Sequence, residues 1–181
     1  VTIENQYFSI PQICMSGQCF RLDPVSGDTY ELIASDRYLR IKVEEGAPSG
    51  AADGVEGRKG GTERTVLYCS SEEYESFWKR YFDLDTSYEE YLAGIDPKDE
   101  YLRTAAWFGS GIRILRQDVW EMIITFILSQ QNNIPRIKGL IQAVSGKYGQ
   151  KMETADGKLY DAFPTPEQLA DASEEELRAL K

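Results

Sequence analysis

The sequence predicts an α+β fold, with β-structure first and helices after it. Two observations carry this. Between Tyr7 and Ser70, short runs rich in aromatic and β-branched residues are separated by turn residues. From Ser70 onward the apolar period lengthens, and successive runs open on Ser, Thr or Asp with Glu or Gln three residues later. The division this implies is a β-rich domain over 1–70 and a helical domain over 71–181.

The expected strands are YFSI (7–10), QCFRL (18–22), TYELIAS (29–35), YLRIKVE (38–44) and RTVLYCS (64–70). The fourth is the clearest, because Leu39, Ile41 and Val43 alternate with Arg40, Lys42 and Glu44 as in a half-buried strand. DPVSGD (23–28) supplies turn chemistry between the second and third. The stretch 45–61, rich in Gly and small residues and without periodicity, reads as a flexible hairpin loop.

The helices are expected in series. Ser70 with Glu73 makes a capping box ahead of the stripe Tyr74, Phe77, Trp78, Tyr81 and Phe82. Ser87 with Glu90 opens a short helix, and Asp96-Pro97 opens one that stops near Gly109. Asp118 with Glu121 caps the run Val119, Met122, Ile123, Phe126 and Ile127. Pro135 opens a helix that stops at Gly149. Thr165 with Gln168 and Ser173 with Glu176 open two more. The last reaches Lys181 with no closing Gly, Asn or Pro, so the chain is expected to be part of a longer protein.

Composition narrows the chemistry. There is no histidine, which removes the commonest general base and metal ligand. Three scattered cysteines, Cys14, Cys19 and Cys69, fit neither a disulfide framework nor a zinc site. Free thiols and the lack of an export signal or membrane-length apolar run point to a cytoplasmic protein, nucleoid-associated if bacterial. No Gly-rich phosphate loop is present. Lys59 lies in the Gly-rich stretch, and the pairs Glu44–Glu45 and Glu89–Glu90 sit in hydrophilic surroundings, so neither reads as catalytic. The net charge of −10 alone disfavours a nucleic-acid partner. Yet residues 112–148 carry Arg113, Arg116, Arg136, Lys138 and Lys147 against only Asp118 and Glu121. Binding depends on where charge lies, not on its sum.

Two short stretches stand out. In SGQCF (16–20) a glycine sits between strand-like segments. It serves either as a turn or as a point where backbone closely approaches a flat ligand. In FILSQQNNIPRIKGL (126–140) an apolar run ends in Gln130, Gln131, Asn132 and Asn133, ahead of Arg136 in the first turn of the next helix. One reading is a polar interhelix turn, for which one or two amides suffice. The other is a donor–acceptor cluster for base edges, beside a helix N-terminus suited to phosphate.

SGQCFR (16–21) resembles the N-terminal signature of the 8-oxoguanine DNA glycosylases, and residues 115–149 resemble the first half of their helix–hairpin–helix domain. YFDLD (81–85) is similar to the family's domain junction. The three occur in the family's order and spacing. The resemblance implies an antiparallel sheet domain like that of TATA-binding protein, followed by the first helices of an all-α helix–hairpin–helix glycosylase domain. It implies base excision repair: double-stranded damaged DNA is bound and the lesion is flipped out of the stack. A lysine amine aided by an aspartate then excises 8-oxoguanine opposite cytosine through a Schiff base, with strand cleavage by lyase chemistry. No cofactor, metal or membrane is implied, and the full-length protein is expected to be a monomer.

Residue by residue, Gly17 matches the glycine whose carbonyl accepts the ring N–H that oxidised guanine has and guanine lacks. Phe20 matches an aromatic near the base-inspection surface. Asn132 and Asn133 match two of three consecutive asparagines, and Arg136 matches an arginine that reads the orphaned cytosine. The first asparagine of that run, which fills the gap left by the flipped base, is Gln131 here. Gln131 also resembles the glutamine of endonuclease III-type enzymes, and so leaves open a related glycosylase with another lesion preference. The acidic charge leaves open a non-catalytic binding module. The family's hairpin, catalytic lysine and aspartate are expected beyond residue 181; Lys181 itself is not that lysine. This chain alone is therefore expected to be inactive.

Overall fold

The architecture is that of a computed structural model, which describes residues 1–4, 7–48 and 61–180. It is α+β. In order the elements are β1 (Thr2–Glu4), α1 (Ile10–Met15), β2 (Leu22–Ser26), β3 (Thr29–Ala34), β4 (Arg37–Pro48) and β5 (Gly61–Tyr68). There follow α2 (Ser71–Glu73), a π-helical turn (Tyr74–Trp78), α3 (Lys79–Tyr81), α4 (Tyr88–Ala93) and α5 (Glu100–Phe108). The remainder is α6 (Val119–Ser129), α7 (Ile134–Tyr148), β6 (Lys151–Glu153), β7 (Leu159–Asp161), α8 (Pro166–Ala170) and α9 (Glu174–Arg178).

β1 to β5 form one sheet in the order β1-β5-β4-β3-β2. β5 runs antiparallel to β1, with Ile3 opposite Thr65, and to β4, with Ile41 opposite Leu67. In β4, Leu39, Ile41 and Val43 are buried, as the alternation predicts. Two compact units divide the chain. One comprises Val1–Cys19, Pro24–Tyr30 and Arg40–Arg116; the other comprises Phe20–Asp23, Glu31–Leu39 and Gln117–Lys181. In the first, Phe8, Trp78, Tyr81 and Phe82 form an aromatic core, with Phe8 and Phe82 edge to face at 5.3 Å. In the second, Ile137, Ile141 and Phe163 are buried together, and Phe20, Trp120, Ile124 and Leu128 pack on them.

Several expectations need correction. YFSI is no strand: Pro11 lies in the first turn of α1, and Ile10 and Ile13, three apart, bury one face of that helix. QCFRL contributes only Leu22 to a strand, and β2 instead takes up most of DPVSGD, leaving Gly27-Asp28 as the turn. Strand propensity in these runs is overridden by what they pack against. β1 and the β6–β7 hairpin were not foreseen, being only three residues per strand. Asp96 does not cap a helix. It accepts the Lys98 N–H at 2.9 Å in a turn, and Asp99 caps α5 instead, accepting from Leu102 at 2.8 Å. Ser87 precedes α4 without a side-chain cap. The loop expected at 45–61, with Lys59, falls largely outside the described residues, as does Lys181.

Other signals hold. α5 ends at Gly109 and α7 at Gly149. Gly149 is required by space, because a Cβ there would lie 2.0 Å from the Ala162 carbonyl oxygen.

Candidate nucleic-acid interface

The amide run forms the turn between α6 and α7. Gln130 caps the C-terminus of α6, its side chain donating to the Phe126 carbonyl at 3.2 Å. Asn132 Nδ2 donates to the Leu128 carbonyl at 2.8 Å. Asn133 is the N-cap of α7, its Oδ1 accepting the Arg136 N–H at 3.1 Å. Three of the four amides therefore close helix ends, where the last carbonyls and first N–H groups lack partners. Gln131 is different. It is exposed, its side chain makes no hydrogen bond among the described residues, and its backbone is left-handed at φ 56°. A glutamine held at positive φ carries strain, as left-handed backbone is unfavourable for most side chains.

The five cations of 112–148 sort in the same way. Arg113 is only 2% exposed. It donates to the Tyr7 carbonyl at 2.9 Å and to the Asp83 and Thr86 carbonyls, and lies 4.4 Å from the Tyr88 ring centroid. Arg116 pairs with Asp83 at 3.1 Å, Lys147 with Glu176 at 3.3 Å, and Lys138 with Asp23. Arg136 is exposed, and its guanidinium has no partner among the described residues. Among the described residues the basic character of the segment thus narrows to one available charge, in the first turn of α7.

In the other unit, Gly17 sits at φ 76° and a Cβ on it would meet nothing within 4 Å. The glycine is there for its backbone conformation, not for lack of room. The turn is held by Gln18, whose Nε2 donates to the Arg113 carbonyl at 2.9 Å and whose Oε1 accepts the Leu115 N–H at 3.0 Å. The sequence places Gln18 inside the motif but does not reveal this anchoring, because both partners lie far along the chain.

Phe20 is half-buried against the Ile137–Ile141–Phe163 cluster. Next to it, Arg21 lies 3.9 Å from the Glu121 carboxylate and donates to the Asp161 carbonyl. Glu121 accepts the Ser35 N–H at 2.8 Å. Burial pushes the Glu121 carboxyl above its ordinary value of 4.5, against the pull of the Ser35 N–H and the Arg21 guanidinium. No group of three or more Cys, Asp or Glu among the described residues is disposed to hold a metal ion.

The profile of the 8-oxoguanine DNA glycosylase N-terminal domain matches residues 1–123. The chain belongs to this family. It is similar to the Saccharomyces cerevisiae N-glycosylase/DNA lyase, 39% identical over 103 residues, which are 56% of this chain and 27% of that protein. It also superposes on the Clostridium acetobutylicum 8-oxoguanine glycosylase/lyase in its apo form, with TM-score 0.81 and 32% identity, covering 98% of this chain and 56% of that one. The same enzyme in complex with double-stranded DNA containing cytosine opposite 8-oxoguanine gives TM-score 0.79 and 30% identity, covering 100% and 59%. The chain thus spans little more than half the length of these solved glycosylases. No helix among the described residues is long and apolar enough to cross a membrane.

Proposed function

We propose that the whole protein is a bifunctional glycosylase and lyase that excises 8-oxoguanine opposite cytosine in duplex DNA. In this reading the present chain holds and inspects the lesion's surroundings. The observation that carries it is the availability of Gln131 and Arg136. Where every neighbouring amide closes a helix end and every neighbouring cation has a partner, these two side chains are exposed and unengaged among the described residues. A glutamine amide suits the gap left by a flipped nucleotide, and an arginine fork suits the edge of the widowed cytosine's surroundings. Asn132 and Asn133 contribute by fixing the turn, with their remaining polar atoms toward the duplex. Gly17 supplies a backbone acceptor for the ring N–H of the oxidised base; guanine would present a lone pair there and leave both groups unpaired. Phe20 takes the face of the base.

The catalytic lysine and aspartate belong, in this reading, to the portion of the family that the chain does not span, with a domain boundary near residue 70. Borohydride trapping of the full-length protein on an 8-oxoguanine–cytosine duplex tests the assignment. A covalent adduct is expected, and its absence overturns the lyase activity. Arg136→Ala is expected to weaken duplex binding and to relax the preference for cytosine opposite the lesion. Unchanged binding would favour a protein partner. Gln131, in place of the family's asparagine, favours a second reading: a related glycosylase with another lesion preference. A panel of damaged duplexes separates the two.

A further inference from the structure

We propose that Glu121 is a positioning residue for the lesion-base contact: its carboxylate, by holding Ser35 and Arg21, sets where Phe20 sits against α6 and α7. The inference rests on the reading of Phe20 as the residue that meets the base.

Glu121 is the third residue of α6, capped by Asp118, which accepts the Glu121 N–H at 2.9 Å. A glutamate there ordinarily turns back to the N-cap N–H. This one turns inward instead. Its side chain is 12% exposed and that of Arg21 is 10% exposed. A carboxylate so buried is costly unless it is paired and hydrogen-bonded.

Its two partners connect to Phe20 by separate routes. The first is Arg21, covalently next to Phe20 and paired with Glu121 at 3.9 Å. Its guanidinium lies between Glu121 and the Asp161 carbonyl, and its own carbonyl accepts the Ile33 N–H at 3.1 Å. The second is Ser35, which is held left-handed at φ 54°. Its N–H is taken by Glu121 at 2.8 Å, and its carbonyl accepts the Phe163 N–H at 2.7 Å. Phe163 is one of the buried residues on which Phe20 packs. One carboxylate therefore restrains the backbone that carries Phe20 and, through Ser35, the aromatic wall behind it. Ser35 does not adopt positive φ at no cost, so the surrounding bonds must impose it. Trp120, the residue before Glu121, packs on the same cluster and donates its indole N–H to the Pro164 carbonyl at 2.9 Å. A shift of the first turn of α6 would thus reach Phe20 by a second path.

The test is a double-mutant cycle read as affinity for an 8-oxoguanine–cytosine duplex divided by affinity for the undamaged duplex. Phe20→Ala is expected to remove the preference, and Glu121→Gln to cut it by about fivefold or more. The double variant is expected to match Phe20→Ala alone. A ratio unchanged in Glu121→Gln, or a further loss in the double variant, overturns the proposal. A second readout needs no DNA: 4-fluorophenylalanine placed at position 20. Its fluorine resonance is expected to shift and broaden in Glu121→Gln, while a fluorine at position 77 stays fixed. An unmoved resonance at position 20 also overturns the proposal. If the wild-type chain shows no lesion preference, the functional reading fails, and the fluorine experiment still decides the positioning. Should Glu121→Gln not fold, Arg21→Lys keeps the charge, loses the planar fork, and is measured the same way.

Discussion

Four helices among the described residues open on the same local signature with its cap formed, α4 with Ser87 being the uncapped exception, and the four use it in two ways. At α8 and α9 the box closes. Thr165 accepts the Gln168 N–H and Gln168 accepts the Thr165 N–H at 2.8 Å; Ser173 and Glu176 do the same. At α2 and α6 only half of it forms. Ser70 and Asp118 cap their helices, but the glutamate of each pair goes elsewhere. Glu73 accepts the indole N–H of Trp78 at 2.8 Å, and Trp78 is 0% exposed. Glu121 takes the Ser35 N–H. The difference is the surroundings. α8 and α9 are largely solvated, and a local donor has no competitor. Near α2 and α6 a buried donor without an acceptor would cost more than a solvated N-cap N–H, so the carboxylate goes to the buried donor.

The comparison predicts a ranking. Glu121→Ala should cost the most, about 3–5 kcal/mol, because it removes the ion-pair partner of the buried Arg21 guanidinium and the acceptor of the Ser35 N–H. Urea unfolding measures it, and a loss below about 1 kcal/mol would place Glu121 with the surface caps. Glu73→Ala should come next, at about 1–3 kcal/mol, from an unsatisfied Trp78 indole. Restoring stability with Trp78→Phe in the Glu73→Ala background would confirm that cause. Thr165→Ala removes only a solvated cap and should cost about 1 kcal/mol by the same measurement.

The smallest effect is in pH dependence, and there the two kinds of glutamate move in opposite directions. Burial holds the Glu121 carboxyl above 4.5, so the folded state keeps its proton longer than the unfolded state does. Its contribution is full below 4.5 and is lost as pH rises through the folded value. Glu176 is held below 4.5 by the Ser173 N–H and then by Lys147 and the Ser173 hydroxyl. Its contribution is present above 4.5 and is lost as pH falls through the folded value. Stability–pH curves of Glu121→Gln and Glu176→Gln, each taken relative to wild type, should therefore slope oppositely on the two sides of 4.5. Parallel curves would erase the distinction.

Much of the candidate site was legible before any coordinates. Pro135 in the first turn and Gly149 as terminus define α7 by local chemistry, and each acts within a few residues of itself. Gly17 was legible as a special backbone position. The use of each amide was not: one or two were expected at the helix ends, and three are there. The five cations of 112–148 looked alike along the chain, yet only Arg136 is unengaged among the described residues. Arg113 is enclosed by Tyr7, Asp83, Thr86 and Tyr88, none of which is its neighbour in sequence.

By itself, then, the sequence determined the order of elements from β4 onward in outline, the β6–β7 hairpin apart, the caps of α6, α8 and α9, and the motifs that mark the family. These depend on hydrophobic period and on hydrogen bonds that span three or four residues. Only the tertiary structure decided that YFSI gives way to a helix, that Glu121 leaves its cap for Ser35, and that Gln131 and Arg136 remain unengaged among the described residues. Those outcomes depend on which distant donor, acceptor or apolar surface each group meets, and burial sets the cost of leaving it unmet.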